Sequence, residues 1–200
     1  PNPIKSIADM SRVRVPDVHE TLQYVFDAIK MIKKELNGRV PLIGFAGAPW
    51  TLLCYMVQGK GSKTFDEAKS FCYTQPEVAH HLLQMITDTT ISYLKGQIEA
   101  GADVVQIFDS WGGLWSPVDF EEFSLQYIRQ IVHAVKDLAP TIIFAKGAWA
   151  SIGAMAETGA AGLGIDWCIP PKTAREFAGD NITLQGNFDL AKLYAPVDVI

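Results

Sequence analysis

The sequence predicts an α/β fold, and within that class an incomplete (β/α)8 TIM barrel with about five strand–helix units in 200 residues. Apolar segments typical of buried strands alternate strictly with amphipathic segments typical of helices. The connections between these strands are too long for hairpins, which indicates parallel strands joined by helical crossovers. A doubly wound sheet is the alternative, but the turn at 44–47 lacks the glycine-rich phosphate pattern that usually follows its first strand.

Each predicted element has a local cause. The first helix carries apolar residues at helical spacing from Leu22 and ends at the Asn37–Gly38 break. The long central helix opens on Pro76, a favoured first-turn residue, and Gly101 is its expected C-terminal cap. Ser116 is an expected N-cap. The strands are predicted at 40–46, 103–108, 141–145, 162–166 and 182–185, and the other helices at 50–57, 64–73, 116–138, 150–158, 171–178 and 189–194.

Composition describes one ordinary globular domain over residues 1–200, with 48% hydrophobic and 20% charged residues. The net charge of -5 argues against nucleic acid or an anionic membrane as a partner. No apolar run is long enough to span a bilayer. Three widely separated cysteines are typical of reduced thiols, and they predict a cytoplasmic protein. The first residue is not methionine and the chain stops on the approach to another helix, so we expect a portion of a longer protein.

Phenylalanine recurs where three successive strands end, at Phe45, Phe108 and Phe144. The carboxyl ends of the strands form one mouth in a barrel. An aromatic-walled mouth with little charge suits a large flat ligand, and the alternative is that these rings simply cover the core.

Polar candidates accompany these strand ends. Tyr55 lies among apolar residues in the helix after the first strand, so its hydroxyl needs a partner, either a ligand carboxylate or a structural acceptor. Ser110 precedes two glycines that allow close backbone approach, and it is either a ligand contact or a turn hydroxyl. Asp109 and Asp166 are possible general acids, but the structural role of binding nearby backbone N–H groups is favoured for both.

Metal and phosphate chemistry find no support in the sequence. No Cys/His cluster has zinc spacing, and the adjacent pair His80–His81 points in two directions on a helix. The segment 59–63 lacks the spacing of a phosphate-binding loop.

Five motifs in order resemble the uroporphyrinogen decarboxylase family over about residues 41–194. They are G-F-A-G-A-P-W-T-L-L-C-Y-M-V, F-D-S-W-G-G, I-I-F-A-K-G, G-I-D-W and L-Q-G-N-F-D. The resemblance implies a (β/α) barrel, a homodimer, and no metal or organic cofactor. It implies conversion of uroporphyrinogen III to coproporphyrinogen III in haem biosynthesis, in which acetate arms become methyl groups. Carried over by motif, Tyr55 and Ser110 are implied substrate contacts, and Phe45, Phe108 and Phe144 are implied pocket walls.

The resemblance also assigns roles to segments that these 200 residues do not contain. They are the arginine-rich R-Q-A-G-R segment, the aspartate of an F-S-D motif and the histidine of a G-H-G segment. We therefore expect no catalytic residue within this chain, and no turnover by these residues alone. Lys146 is the one cation near a predicted strand end. The arginines lie instead on predicted helices or leading loops: Arg12, Arg14, Arg39, Arg129 and Arg175.

Two other functions are alternatives to this one. The zinc-dependent corrinoid methyltransferases share this barrel, but they need a His-x-Cys pair where this chain has Phe144-Ala145-Lys146-Gly147. A non-catalytic tetrapyrrole-binding relative is the second alternative.

Overall fold

The computed structural model describes residues 2–198, in which five parallel strands form one sheet. Their order across the sheet is their order along the chain, as each strand is followed by helical structure and pairs with the next. This sequential parallel order is that of consecutive units of a TIM barrel. The strands are β1 (Ile43–Gly47), β2 (Val104–Asp109), β3 (Thr141–Ala145), β4 (Gly162–Gly164) and β5 (Thr183–Gln185).

Helices cover one face of the sheet, and α5 is the longest of them at 24 residues. The helices are α1 (Val18–Thr21), α2 (Gln23–Leu36), α3 (Pro49–Gln58), α4 (Asp66–Thr74), α5 (Pro76–Glu99), α6 (Pro117–Phe120), α7 (Gln126–Val135), α8 (Ile152–Ala156) and α9 (Pro171–Ala178). A π-helical turn, Glu121–Leu125, joins α6 to α7. Short 3-10 helices occupy Ile7–Arg12, Gly112–Leu114, Trp149–Ser151 and Leu190–Tyr194.

The two faces of the sheet differ in burial. Val105, Ile107 and Ile143 are fully buried on the helix-covered face. Phe108 and Phe144 are register partners on neighbouring strands, and they alternate with those residues along the chain, so they leave from the opposite face. That opposite face is less covered, since Phe108 and Phe144 are half-buried and Phe45 is 61% exposed there.

The free edge of β1 is held by one side chain. The Gln97 amide of α5 accepts a hydrogen bond from the Phe45 N–H at 2.9 Å and donates one to the Phe45 carbonyl at 2.8 Å. Its amide therefore takes the place of a neighbouring strand at this position. Gly44 is needed beside it, because an added Cβ would lie 2.6 Å from Gln97 Oε1.

The structure confirms the α/β class, the parallel order and nearly every predicted element. Strand β3 coincides with its prediction, and Ser116 caps α6 by accepting a hydrogen bond from the Asp119 N–H. Asn37 ends α2 in the left-handed conformation. Several predicted bounds were wrong. The strands predicted at 40–46 and 162–166 are shorter. The segment 150–158 forms a 3-10 turn followed by a short α-helix, and the segment 189–194 forms a 3-10 helix.

Candidate functional site

Three phenylalanines form a continuous ladder across the open face of the sheet. The rings of Phe45 and Phe108 lie 5.8 Å apart and edge-on, at an interplanar angle of 88°. Phe108 and Phe144 repeat this contact at 5.8 Å and 67°. Gly164 of β4 continues the row without a side chain, since an added Cβ would lie 2.9 Å from the Phe144 ring. Phe45 is 61% exposed on this ladder, and the edge-on rings together offer an apolar wall.

Tyr55 is joined to the turn that carries Ser110. Its hydroxyl accepts a hydrogen bond from Trp111 Nε1 at 3.1 Å, and Trp111 directly follows Ser110 in the chain. Trp50, on the same helix α3, donates from its indole N–H to the Trp111 carbonyl at 3.0 Å. The Phe65 ring packs against both Trp111 and Tyr55. Helix α3 and the turn after β2 are therefore held together at one end of the sheet.

A buried carboxylate lies beneath this junction. Asp109, the last residue of β2, is fully buried and accepts hydrogen bonds from Thr51 Oγ1 at 2.7 Å and Ser124 Oγ at 2.5 Å. Thr51 lies one turn before Tyr55 on α3, so the two share a helix face. Burial raises the pKa of Asp109 above its ordinary 3.8, while the bonds from Ser124 and Thr51 oppose that rise. Asp109 thus has a structural role, in which two side-chain hydroxyls join the end of β2 to α3 and the π-helical turn.

The turn after β2 packs backbone against backbone on the turn after β3. The Lys146 N–H donates to the Asp109 carbonyl at 3.0 Å, and the Gly113 N–H donates to the Lys146 carbonyl at 2.9 Å. An added Cβ at Gly113 would lie 2.6 Å from the Gly147 carbonyl carbon, so only glycine fits. Ser110 lies half-buried at the start of the first turn.

Asp166 also has the structural role that was favoured from the sequence. Its two carboxylate oxygens accept hydrogen bonds from the Gly147 N–H at 2.7 Å and the Cys168 N–H at 2.8 Å. These bonds fix the turn after β4 against the turn after β3. The carboxylate is therefore occupied by backbone donors.

Tyr55 also borders two cavities beside the segment that precedes α1, one against α3 and the other against α3 and α5. Their volumes are about 490 and 340 Å³. Arg12 lines the first cavity and Arg14 lines the second. Arg12 is already paired with Asp9 at 2.7 Å.

No group of three metal-ligating side chains occurs among residues 2–198. His80 instead has a structural environment, in which its Nδ1 lies 2.7 Å from the Tyr127 hydroxyl and its ring stacks on Phe123. Within the same residues, no helix combines the length and apolar character needed to cross a bilayer.

The structure brings the five predicted site residues to two adjoining places. Phe45, Phe108 and Phe144 make one continuous wall, and Tyr55 joins the Ser110 turn through Trp111. Sequence reasoning missed the anchoring residues, which are Thr51, Trp111, Ser124 and Gln97. Thr51 could have been found from the sequence, because its spacing to Tyr55 places both on one helix face. The position of Ser124 is set by a π-helical turn, which no sequence period indicates.

The comparisons with known proteins agree with the motifs. The family model described as uroporphyrinogen decarboxylase (URO-D) matches residues 1–200. The uroporphyrinogen decarboxylases of Flavobacterium johnsoniae and Christiangramia forsetii are each 58% identical over 200 residues, which is 100% of this chain and 59% of those proteins. That of Hydrogenovibrio crunogenus is 49% identical over 203 residues, covering 99% of this chain and 57% of that protein. The chain therefore spans less than two thirds of the length of these relatives.

A solved structure with the same architecture is a methyltransferase from Methanosarcina mazei. It matches with a TM-score of 0.79 and 25% identity over 90% of this chain and 53% of that chain. Proteins with the same fold can have different activities, so this structural similarity does not identify the family. The family is identified by the sequence match over the whole chain. On that match, the chain belongs to the uroporphyrinogen decarboxylase family.

Proposed function

We propose that this chain forms part of a decarboxylase that converts uroporphyrinogen III to coproporphyrinogen III in haem biosynthesis. The observation that carries the proposal is the phenylalanine ladder on the open face of the sheet, beside the joined Tyr55 and Ser110 segments. An exposed aromatic wall of this kind suits a large apolar ring system, and the relatives at 58% identity are named for this reaction.

The reaction requires a place for the electrons of the breaking carbon–carbon bond. A pyrrole ring protonated on carbon supplies it, because the bond to the carboxylate carbon breaks as its electron pair moves into the cationic ring. CO₂ leaves, the resulting exocyclic methylene takes a proton, and the ring loses its added proton. The acetate arm becomes a methyl group and the net consumption is one proton. No organic cofactor is needed for this electron flow, and we propose that none is used.

The residues present in this chain would bind and shield the substrate. The phenylalanine ladder excludes water from one face of the macrocycle, so a carboxylate held there is poorly solvated. Tyr55 Oη accepts from Trp111, which leaves its own hydrogen free to donate to a substrate carboxylate. Ser110 is proposed as a second hydroxyl contact. Hydrogen bonds to carboxylates are among the stronger polar interactions in proteins.

The family's arginine-rich, aspartate and histidine segments are not among these 200 residues. We therefore propose that the barrel and its catalytic groups are completed by other parts of the protein, and that these residues alone do not turn over substrate. From the family resemblance, we also propose that the protein is a cytoplasmic homodimer. Light scattering of the purified protein would test the dimeric state.

An anaerobic assay tests the proposed reaction. The longest natural chain that carries these residues is incubated with uroporphyrinogen III, and the products are oxidised and separated by their number of carboxyl groups. We expect successive loss of carboxyl groups ending at the coproporphyrin product. Retention of every carboxyl group, with binding preserved, would instead support the non-catalytic tetrapyrrole-binding relative.

The structural similarity to a methyltransferase supports methyl transfer as a second candidate function. The zinc-dependent corrinoid methyltransferases need a His-x-Cys pair at the end of β3, where this chain has Phe144-Ala145-Lys146-Gly147. Metal analysis of the same purified protein separates the two functions. We expect less than stoichiometric zinc, whereas one tightly bound zinc per chain together with methyl transfer would favour the second candidate.

A further inference from the structure

We propose that Lys146 binds a carboxylate arm of the macrocycle that the reaction leaves in place, a propionate and not a reacting acetate. This inference rests on the proposed function and assigns a specific role to a residue outside the set carried over from the family. It makes Lys146 a residue that fixes the orientation of the substrate against the phenylalanine ladder.

The backbone of Lys146 fixes the direction of its side chain. Its N–H donates to the Asp109 carbonyl, as in a parallel ladder one residue beyond β3, and its carbonyl accepts from the Gly113 N–H in the turn after β2. Lys146 follows Phe144 by two residues. Since side chains alternate between faces, Lys146 leaves from the same face as Phe144 and stands at the rim of the ladder.

The ammonium group is held over an aromatic ring. Lys146 Nζ lies 5.5 Å from the centre of the Trp167 ring, which follows β4. A cation–π contact of this kind positions the ammonium without neutralising its charge. Trp167 is 43% exposed, so this pair lies at the surface next to the open face.

The charge of Lys146 is available to a ligand. Lys146 takes part in none of the ion pairs formed between described residues. The nearby Asp166 carboxylate accepts from two backbone N–H groups. By contrast, Arg12 and Arg129 are each paired with a carboxylate at 2.7 Å. A cation at the rim of an aromatic wall therefore remains for an anionic group.

The chemistry of decarboxylation selects the kind of carboxylate. An ion pair with an ammonium stabilises the negative charge of a carboxylate, and that charge disappears as CO₂ forms. Such a pair would lower the energy of the ground state more than that of the transition state, and would slow the step. A lysine at this site is useful only to an arm that keeps its charge throughout, which is the propionate class.

Quenching of tryptophan fluorescence by two non-reacting porphyrins tests the proposal. The longest natural chain that carries these residues is titrated with uroporphyrin, which has both acetate and propionate arms, and with coproporphyrin, which has propionate arms alone. We expect Lys146→Gln to raise the dissociation constant of both ligands by about tenfold, as expected for one charged hydrogen bond. Lys146→Arg is expected to restore most of the affinity for both.

The matched control is Lys34→Gln, which removes an exposed lysine on α2. It should leave both dissociation constants unchanged. Equal affinity of Lys146→Gln and wild type for both porphyrins would overturn the proposal, and so would a loss confined to uroporphyrin, because that loss would place an acetate on Lys146. Turnover of uroporphyrinogen III by the same wild-type preparation separates these failures from a failure of the proposed function.

Discussion

At the scale of single residues, Tyr55 is the clearest test of substrate contact. Its hydroxyl accepts from Trp111 Nε1, and its side chain is 45% exposed, so it can reach a ligand without unfolding. We expect Tyr55→Phe to lower kcat/KM for uroporphyrinogen about tenfold, because one hydrogen bond to a carboxylate is lost. The free energy of unfolding should fall by less than about 1 kcal/mol, because the lost structural bond is partly solvated.

The control for this substitution is Tyr24→Phe, which removes the hydroxyl of a 69% exposed tyrosine on α2. Steady-state kinetics should show no change for this variant. Unchanged kcat/KM for Tyr55→Phe would remove Tyr55 from the proposed substrate contacts.

Asp109 contributes to stability in a way that depends on pH. Burial raises the pKa of the folded-state carboxyl above 3.8, so the folded protein holds this proton more tightly than the unfolded chain does. The stabilisation from this group is fully present below the unfolded pKa and is lost as the pH rises through the folded pKa. The Asp109→Asn variant has no titrating group at this position.

The difference in unfolding free energy between wild type and Asp109→Asn should therefore be largest in acid. We expect about 1–3 kcal/mol at the acid end, from the altered bonding of Thr51 and Ser124, and a smaller difference towards neutral pH. Urea unfolding of both proteins at a series of pH values measures it. A difference that grows as the pH rises would show that the pKa of Asp109 is lowered and not raised.

At the scale of elements, the contact between the turns after β2 and β3 depends on Gly113. An added Cβ there would lie 2.6 Å from the Gly147 carbonyl carbon and 2.7 Å from the Lys146 carbonyl oxygen. These are backbone atoms that cannot move without separating the turns. We expect Gly113→Ala to lower the free energy of unfolding by about 1–3 kcal/mol, the usual cost of overpacking.

Gly61→Ala is the matched comparison, because an added Cβ at Gly61 meets nothing within 4 Å. Thermal or urea unfolding should show little change for Gly61→Ala. Equal stability of the two variants would mean that the turns are not packed as described.

The free edge of β1 gives a second prediction at this scale. Gln97 both donates to and accepts from the Phe45 backbone. A Gln97→Leu substitution removes both the acceptor of the Phe45 N–H and the donor to the Phe45 carbonyl. We expect faster hydrogen exchange of the Phe45 amide by about tenfold, as expected for the loss of about 1.4 kcal/mol of local protection. The Ala48 amide, which donates to Phe108 at 2.8 Å on the β2 side, serves as the internal reference. Equal acceleration at both amides would indicate general loosening instead.

At the scale of the whole molecule, the sequence predicted the architecture better than the anchoring of the site. Strict alternation of strands and helices determines a parallel sheet, and Phe45, Phe108 and Phe144 were found because strand ends share one edge. No local pattern indicates the hydrogen bond from Ser124 to Asp109, because Ser124 lies on an irregular turn. None indicates the hydrogen bonds between Gln97 and β1 either, because these residues are far apart in the chain. The end of β4 was predicted at Asp166 and lies at Gly164, because the ends of short elements are decided by tertiary contacts.

The most direct test of the account is a structure of the longest natural chain that carries these residues, with coproporphyrinogen bound. We predict that the macrocycle lies in van der Waals contact with Phe45, Phe108 and Phe144, with Tyr55 and Ser110 within hydrogen-bonding distance of its arms. A macrocycle bound on the helix-covered side of the sheet, or away from these three rings, would contradict the account.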